Sequence, residues 1–106
     1  SISPGQKGVE LDKVVRDFLF AQGLGEAFTH SLGHGLSIDV HALPRIGPTS
    51  QDVIPAGAVV TLEPGVYLPG DGEKPAGGVR IEDDVLVTAS GCEVLTPIPR
   101  DLICVA

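Results

Sequence analysis

The sequence has no methionine and no tryptophan, and it carries one tyrosine and three phenylalanines, so aromatics make up only 4% of its 106 residues. A core must then be assembled from Val, Leu, Ile and Ala, and at this length it is a modest core within a single domain, residues 1–106. Positive charge is also scarce: seven Lys and Arg face fourteen Asp and Glu, for a net charge of −7. Nucleic-acid binding rests on neutralising phosphates with Lys and Arg, so this balance argues against a nucleic-acid partner. It is compatible with cation binding, and equally with a solvated acidic surface. The two cysteines, Cys92 and Cys104, have no CxxC spacing and are too few for a disulfide framework, which argues against a zinc knuckle. No apolar run approaches bilayer-spanning length and no signal-peptide pattern opens the sequence. The expectation is a reduced, cytoplasmic protein with no membrane partner. Fourteen Gly and nine Pro impose many turns and leave room for little long helix.

What is present begins with one helix. Leu11, Val14, Val15, Phe18 and Leu19 recur at helical spacing, Glu10 and Asp12 sit in the first turn where the macrodipole favours acids, and Gly23 and Gly25 follow. These features predict an amphipathic helix over residues 9–22. Strand patterns follow: an alternating run from Leu36 to His41, the β-branched run Ala58–Leu62 stopped by Pro64-Gly65, and the alternating Val79–Thr88. In that last run Arg80, Glu82 and Asp84 share one face. Ser90-Gly91 reads as a hairpin turn into a strand at Glu93–Thr96. Residues 44–57 read as an irregular connection, Pro69–Gly78 as a surface loop, and the apolar tail Pro97–Ala106 as packed. One helix followed by several strands is an α+β order.

All three histidines, His30, His34 and His41, fall in the stretch Phe28–Arg45, with Gly33 and Gly35 flanking the middle one. A glycine-loosened turn feeding a strand would place His34 at its mouth and His41 on its polar face. Glu63 ends the β-branched run, and Glu82 lies on a polar strand face. Imidazole plus carboxylates suits divalent ions of borderline to hard character, and carboxylates can bridge two of them. Residue type and spacing alone do not select Glu63 over Glu73. Taken singly, His30 reads as structural, Glu63 as a strand end and Glu82 as half of a surface pair with Arg80.

The motifs FTHSLGHGLSIDVH, TLEPGVY and GGVRIEDDVLVT, in that order, resemble the C-terminal catalytic half of the pita-bread metallopeptidases. The resemblance is closest to the Xaa-Pro aminopeptidase and Xaa-Pro dipeptidase (prolidase) branch, with methionine aminopeptidases and creatinase as more distant relatives. It runs from about Val9 to Thr96 and implies the C-terminal half of the pita-bread fold, a helix followed by antiparallel strands. It implies two divalent metal ions per complete site (Mn, Co or Zn), with His34 as the histidine ligand. Glu63 resembles the carboxylate ligand that also handles the proton of the attacking water, and Glu82 the carboxylate that bridges both ions. His30 and His41 resemble the pair that holds substrate and stabilises the tetrahedral intermediate, and Arg80 the arginine that supports the site. The implied reaction is hydrolysis of the bond before proline in a proline-containing peptide by a metal-activated water.

Three departures qualify the resemblance. Ala42 stands where the family commonly has an acid, and Ser37 where glycine is frequent. The family's metal pair also needs two further aspartates from the first half of its domain, and Asp12 and Asp17 lie instead on the amphipathic helix. The resemblance therefore implies a fragment of a longer enzyme whose partner is the missing N-terminal half. Alone it would bind metal weakly, show no turnover and bury its uncovered surface in a homodimer. A non-catalytic pita-bread module that binds protein is the alternative. Retention of His34, Glu63 and Glu82 together favours the peptidase.

Overall fold

A computed structural model describes residues 1–105 of the chain. Helix α1 spans Gly8–Ala21, one residue earlier than the periodicity predicts. At its start Glu10 reaches back to accept the Lys7 backbone N–H at 2.8 Å. At its end the Gly23 and Leu24 N–H groups return to the Phe20 and Leu19 carbonyls, the paired closure of a Schellman turn. The predicted apolar stripe divides in two. Leu11 is buried, and Val15 and Leu19 pack on the core, whereas Val14 and Phe18 are 69% and 63% exposed. The helix turns a different face inward because Asp12 lies on it, and Asp12 is only 1% exposed.

Asp12 therefore has a role other than the helix-dipole one read from its position. Its carboxylate accepts from Arg16 Nε at 2.8 Å and Nη2 at 3.0 Å, and from the Leu32 backbone N–H at 3.1 Å. Arg16 in turn donates to the carbonyls of Phe28 and His30, each at 3.0 Å, and lies 4.4 Å over the Phe28 ring. One ion pair thus ties the helix to the backbone that leads into the histidine stretch.

A short 3-10 turn, Gly25–Ala27, leads to seven strands: β1 Gly33–Gly35, β2 Ala42–Ile46, β3 Val59–Leu62, β4 Gly65–Leu68, β5 Gly77–Arg80, β6 Asp83–Thr88 and β7 Gly91–Val94. A five-stranded antiparallel sheet has the order β2-β1-β3-β6-β7, and β4 and β5 form a separate antiparallel pair. The core is aliphatic as the composition requires, with Ile46, Ile54, Val60 and Val87 at 0% exposure, and Phe28 is the aromatic that joins it.

Several expectations need correction. The alternating run Leu36–His41 is not a strand but a bent loop between β1 and β2, with Ile38 and Val40 exposed. Alternation forms a strand only where a neighbour can pair with it, and β1 itself fills the place between β2 and β3. The supposed irregular connection accordingly begins inside β2. The run Val79–Thr88 is also not continuous. It breaks at Ile81 and Glu82, with β5 in the small sheet and β6 in the large one, so Arg80, Glu82 and Asp84 share no single strand face. Pro64-Gly65 does end β3, but β4 starts at Gly65 without a loop. The tail does not pack over its described residues: Leu102, Ile103 and Val105 are 92%, 73% and 90% exposed, while Ala106 lies outside the described residues. No strand or helix forms there to hold a side chain inward.

Candidate functional site

Two breaks in the strands build the site. The β3–β6 ladder pairs Leu62 with Asp83, and the β4–β5 ladder pairs Gly65 with Arg80. The two ladders keep one register, and that register sets Glu63 opposite Glu82 across the gap where the chain passes from one sheet to the other. Pro64 has no N–H to continue the ladder, and its carbonyl accepts from Ile81 at 3.2 Å. Side chains directly opposite in an antiparallel pair share a face about 5 Å apart, where two carboxylates repel.

That repulsion is visible at Glu82. Its carboxyl is held above the ordinary carboxylate range, first by loss of solvent around it and then by the charge of Glu63. A side-chain hydrogen bond with Glu63 and the charge of Asp84 add to the effect, and Arg80 pulls the other way. Glu82 as a residue is exposed, so the loss of solvent that leads the shift is local to its carboxyl and only partial.

His34 occupies the middle of β1, and both its neighbours must be glycine. A side chain at Gly33 would overlap the Thr61 carbonyl, and one at Gly35 the Leu43 carbonyl, because β3 and β2 close on β1 from either side. His34 N–H donates to Thr61 Oγ1 at 3.1 Å. Its Nδ1 lies 2.9 Å from the Gly35 carbonyl, which can only accept, so in the neutral ring Nδ1 carries the proton and Nε2 has a bare lone pair. Nε2 stands 3.9 Å from Glu63 Oε1, and the two side chains are 14% and 17% exposed. A neutral imidazole with its far nitrogen fixed by a carbonyl is the form in which histidine ligates metals.

The other expected residues gather around the same point. His30, His34, His41, Glu63 and Arg80 line one cavity of about 540 Å³. The His41 ring meets His34 edge-on with 4.6 Å between centroids. Glu82 does not line this cavity. It borders a separate depression with Arg80 and Arg100, and Arg80 lines both. Among the described residues no three His, Cys, Asp or Glu side chains converge tightly enough to enclose an ion. The donors fit a divalent cation in kind, as a bare imidazole nitrogen beside two crowded carboxylates, and they form an incomplete set.

Two residues of the neighbourhood carry no role in the sequence reading. Arg45 lines the cavity because it pairs with His34 across the β1–β2 ladder. Nothing in its local sequence marks it. Tyr67 hydrogen-bonds His30 at 2.9 Å. Its signal was available, since it is the only tyrosine and closes the TLEPGVY motif.

A sheet wall that presents three histidines, Glu63 and two arginines to one cavity, with Glu82 in a neighbouring depression, offers donors of the kind that metal-dependent sites use. Residues 1–89 match the model of metallopeptidase family M24, and the chain belongs to that family. Its fold is the α+β C-terminal half of the pita-bread fold. The chain is 44% identical over 103 residues to the Xaa-Pro dipeptidase of Pyrococcus horikoshii, covering 97% of this chain and 28% of that protein. Among solved structures it is similar to an Xaa-Pro dipeptidase from Bacillus anthracis, at 45% identity and a TM-score of 0.88 over 97% of this chain and 28% of that one. It is also similar to an X-Pro aminopeptidase from Thermotoga maritima, at 43% identity and a TM-score of 0.84 over 93% and 27%. The chain thus spans about 28% of the length of the relatives it matches. Among the described residues no helix is long and apolar enough to cross a membrane.

Proposed function

We propose that this chain supplies one wall of a dinuclear metallopeptidase site that hydrolyses the peptide bond before proline. The observation that carries the reading is the register across the sheet junction, which sets Glu82 opposite Glu63, together with His34 Nε2 at 3.9 Å from Glu63 Oε1. In this reading His34, Glu63 and Glu82 are ligands for two divalent ions (Mn, Co or Zn), and two aspartates outside these 106 residues complete the set. When bound, such ions polarise a carbonyl and lower the pKa of a water toward neutrality. The chain's own residues do the rest. His34 gives a lone pair because Gly35 holds its other nitrogen. Glu63 accepts a proton at its carboxylate, and its backbone is fixed by donation to the Leu32 carbonyl at 2.7 Å. His30 and His41 face the substrate across the cavity, and Arg80 tempers the charge at Glu82. Arg45 brings a second guanidinium to the cavity, suited to a peptide carboxylate.

The substrate is a proline-containing peptide, as the names of the similar dipeptidases and aminopeptidase support. The 106 residues form one domain half whose partner is the N-terminal half of the same fold, and alone they are inactive. The exposed Val14 and Phe18 on α1 support a homodimer of the isolated chain. Two exposed free thiols, Cys92 and Cys104, support a reducing, cytoplasmic location. The net charge of −7 supports the absence of a nucleic-acid partner.

The test is hydrolysis of an Xaa-Pro dipeptide by the protein joined to the remainder of its fold, in the presence of Mn, Co or Zn. Turnover abolished by Glu82→Gln and absent from the 106 residues alone is the expected result. A complete fold that binds metal without cleaving any Xaa-Pro peptide would move the protein to the non-catalytic binding class.

A further inference from the structure

The hydrogen bond between Tyr67 and His30 fixes more than a ring position. His30 Nδ1 lies 2.7 Å from the Ser31 carbonyl, and a carbonyl only accepts, so Nδ1 carries the proton. In the neutral ring Nε2 is then an acceptor, and the Tyr67 hydroxyl at 2.9 Å is its donor. Phe28 meets the same ring edge-on at 5.1 Å, and the Tyr67 ring lies 5.4 Å away.

The approach of the hydroxyl is built by two glycines on two strands. A Cβ at Gly65 would lie 2.7 Å from the Tyr67 hydroxyl oxygen and 3.0 Å from His30 Nε2, in the space where the two meet. Gly78 is the register partner of Tyr67, and a Cβ there would lie 2.9 Å from Tyr67 Cδ1. Tyr67 does not line the cavity, whereas His30 does, so the hydroxyl acts on the imidazole from outside the space a substrate would take.

We propose that Tyr67 is the positioning residue of His30, holding the imidazole as its Nδ1–H tautomer with Nε2 as an acceptor. The consequence divides the two substrate-side histidines. A neutral His30 has no N–H left to offer a developing oxyanion, because its one N–H is spent on Ser31. The donor role in the cavity falls to His41, whose ring packs on His34. This assignment rests on the reading of the cavity as a peptidase site only for its kinetic consequence. The tautomer itself does not depend on turnover.

The experiment follows the ring nitrogens of all three histidines by ¹H–¹⁵N NMR at a pH where imidazole is neutral, with His34 and His41 as internal controls. In the unsubstituted protein His30 shows the Nδ1–H form. In Tyr67→Phe its nitrogen shifts move toward a mixture of tautomers, while the His34 shifts and the backbone spectrum stay in place. Gly65→Ala keeps the hydroxyl but blocks its approach, and gives the same His30 change. In the complete, metal-loaded enzyme Tyr67→Phe lowers kcat/KM about fivefold, the weight of one hydrogen bond. The same change costs nothing further in a His30→Ala background. Unchanged His30 shifts in both variants, or additive losses in the double variant, overturn the proposal. A His30 shift in a protein without turnover upholds the role of Tyr67 and sinks the peptidase reading, whereas turnover with an unmoved tautomer does the reverse.

Discussion

Replacing Arg16 by Met isolates the clamp between α1 and the histidine stretch. The substitution preserves the length and much of the apolar stem of the side chain but strands the Asp12 carboxylate, which is 1% exposed. Asp12 keeps a single donor, the Leu32 N–H, and the carbonyls of Phe28 and His30 lose theirs. Removing one partner of a buried pair costs about 3–5 kcal/mol, because an uncompensated charge remains. The Arg16 side chain is 30% exposed, so water already screens part of the pair and the lower end, about 3 kcal/mol, applies. For a domain of this size that corresponds to a fall in Tm of about 12–24 °C.

Urea unfolding followed by far-UV circular dichroism measures the loss directly. The paired variant Asp12→Leu with Arg16→Met is the decisive companion, since it removes both charges and leaves none stranded. It should recover at least half of the stability lost in Arg16→Met alone. An Arg16→Met loss below about 1 kcal/mol would refute the clamp, as would a double variant no more stable than the single one.

Further outcomes follow from the same geometry. Gly33→Ala drives a methyl into the Thr61 carbonyl, so it should separate β1 from β3 and lower the unfolding midpoint more than Gly77→Ala, where the added Cβ meets nothing within 4 Å. Circular dichroism melts of the two variants give the comparison. The Glu82 carboxyl is raised in the folded state, so the fold binds a proton that the unfolded chain has already released. Metal-free stability should therefore fall as pH rises from the unfolded carboxylate range through the raised folded value, and Glu82→Gln should flatten that slope in urea unfolding. Isothermal titration of the complete protein with Mn²⁺ should show weaker binding as pH falls through the same window, with heat of proton release on binding. His34→Ala should abolish one binding event. Phe18→Ser on the exposed side of α1 should shift the isolated chain toward monomer in sedimentation velocity.

The helix, the α+β order and the glycine-thinned backbone on either side of His34 were legible because each rests on residues close in sequence. Residues 8 to 21 carry their own periodicity, and Gly33-His34-Gly35 marks a backbone thinned on both sides of one imidazole. The errors share one cause: pairing partners are not written in the strand that needs them. Leu36–His41 alternates well but has no vacant edge beside it. Val79–Thr88 alternates just as well, yet it crosses between two sheets at Ile81 because Pro64 on the facing chain cannot continue the ladder. Arg45 was invisible for the same reason, since it enters the site through a cross-strand neighbour, whereas Tyr67 carried a signal as the one tyrosine, at the end of TLEPGVY. Asp12 was misread because an acid in a first helical turn has a ready surface explanation, and only the position of Arg16 four residues on contradicts it.

The sheet junction also explains why two glutamates tolerate each other. A continuous ladder would bury neither carboxylate and would place Glu63 and Glu82 as an ordinary like-charge cross-strand pair, a small penalty that water screens. The break at Pro64 withdraws the chain from both sheets for two residues on each side, so the two carboxylates meet at a corner, Glu63 with His34 Nε2 at 3.9 Å, and neither pairs with a lysine or arginine among the described residues. Arg80 stands nearby and only partly offsets the charge at Glu82, while Arg100 is already committed to Asp83 at 2.7 Å. A chain selected for stability alone would place a lysine or arginine between such carboxylates. On the proposed reading, leaving the corner negative costs stability in the metal-free state and holds affinity in reserve for a cation. The sign of the Glu82→Gln effect therefore decides the point: stabilisation without metal together with loss of metal affinity marks a binding site, and destabilisation marks a structural pair.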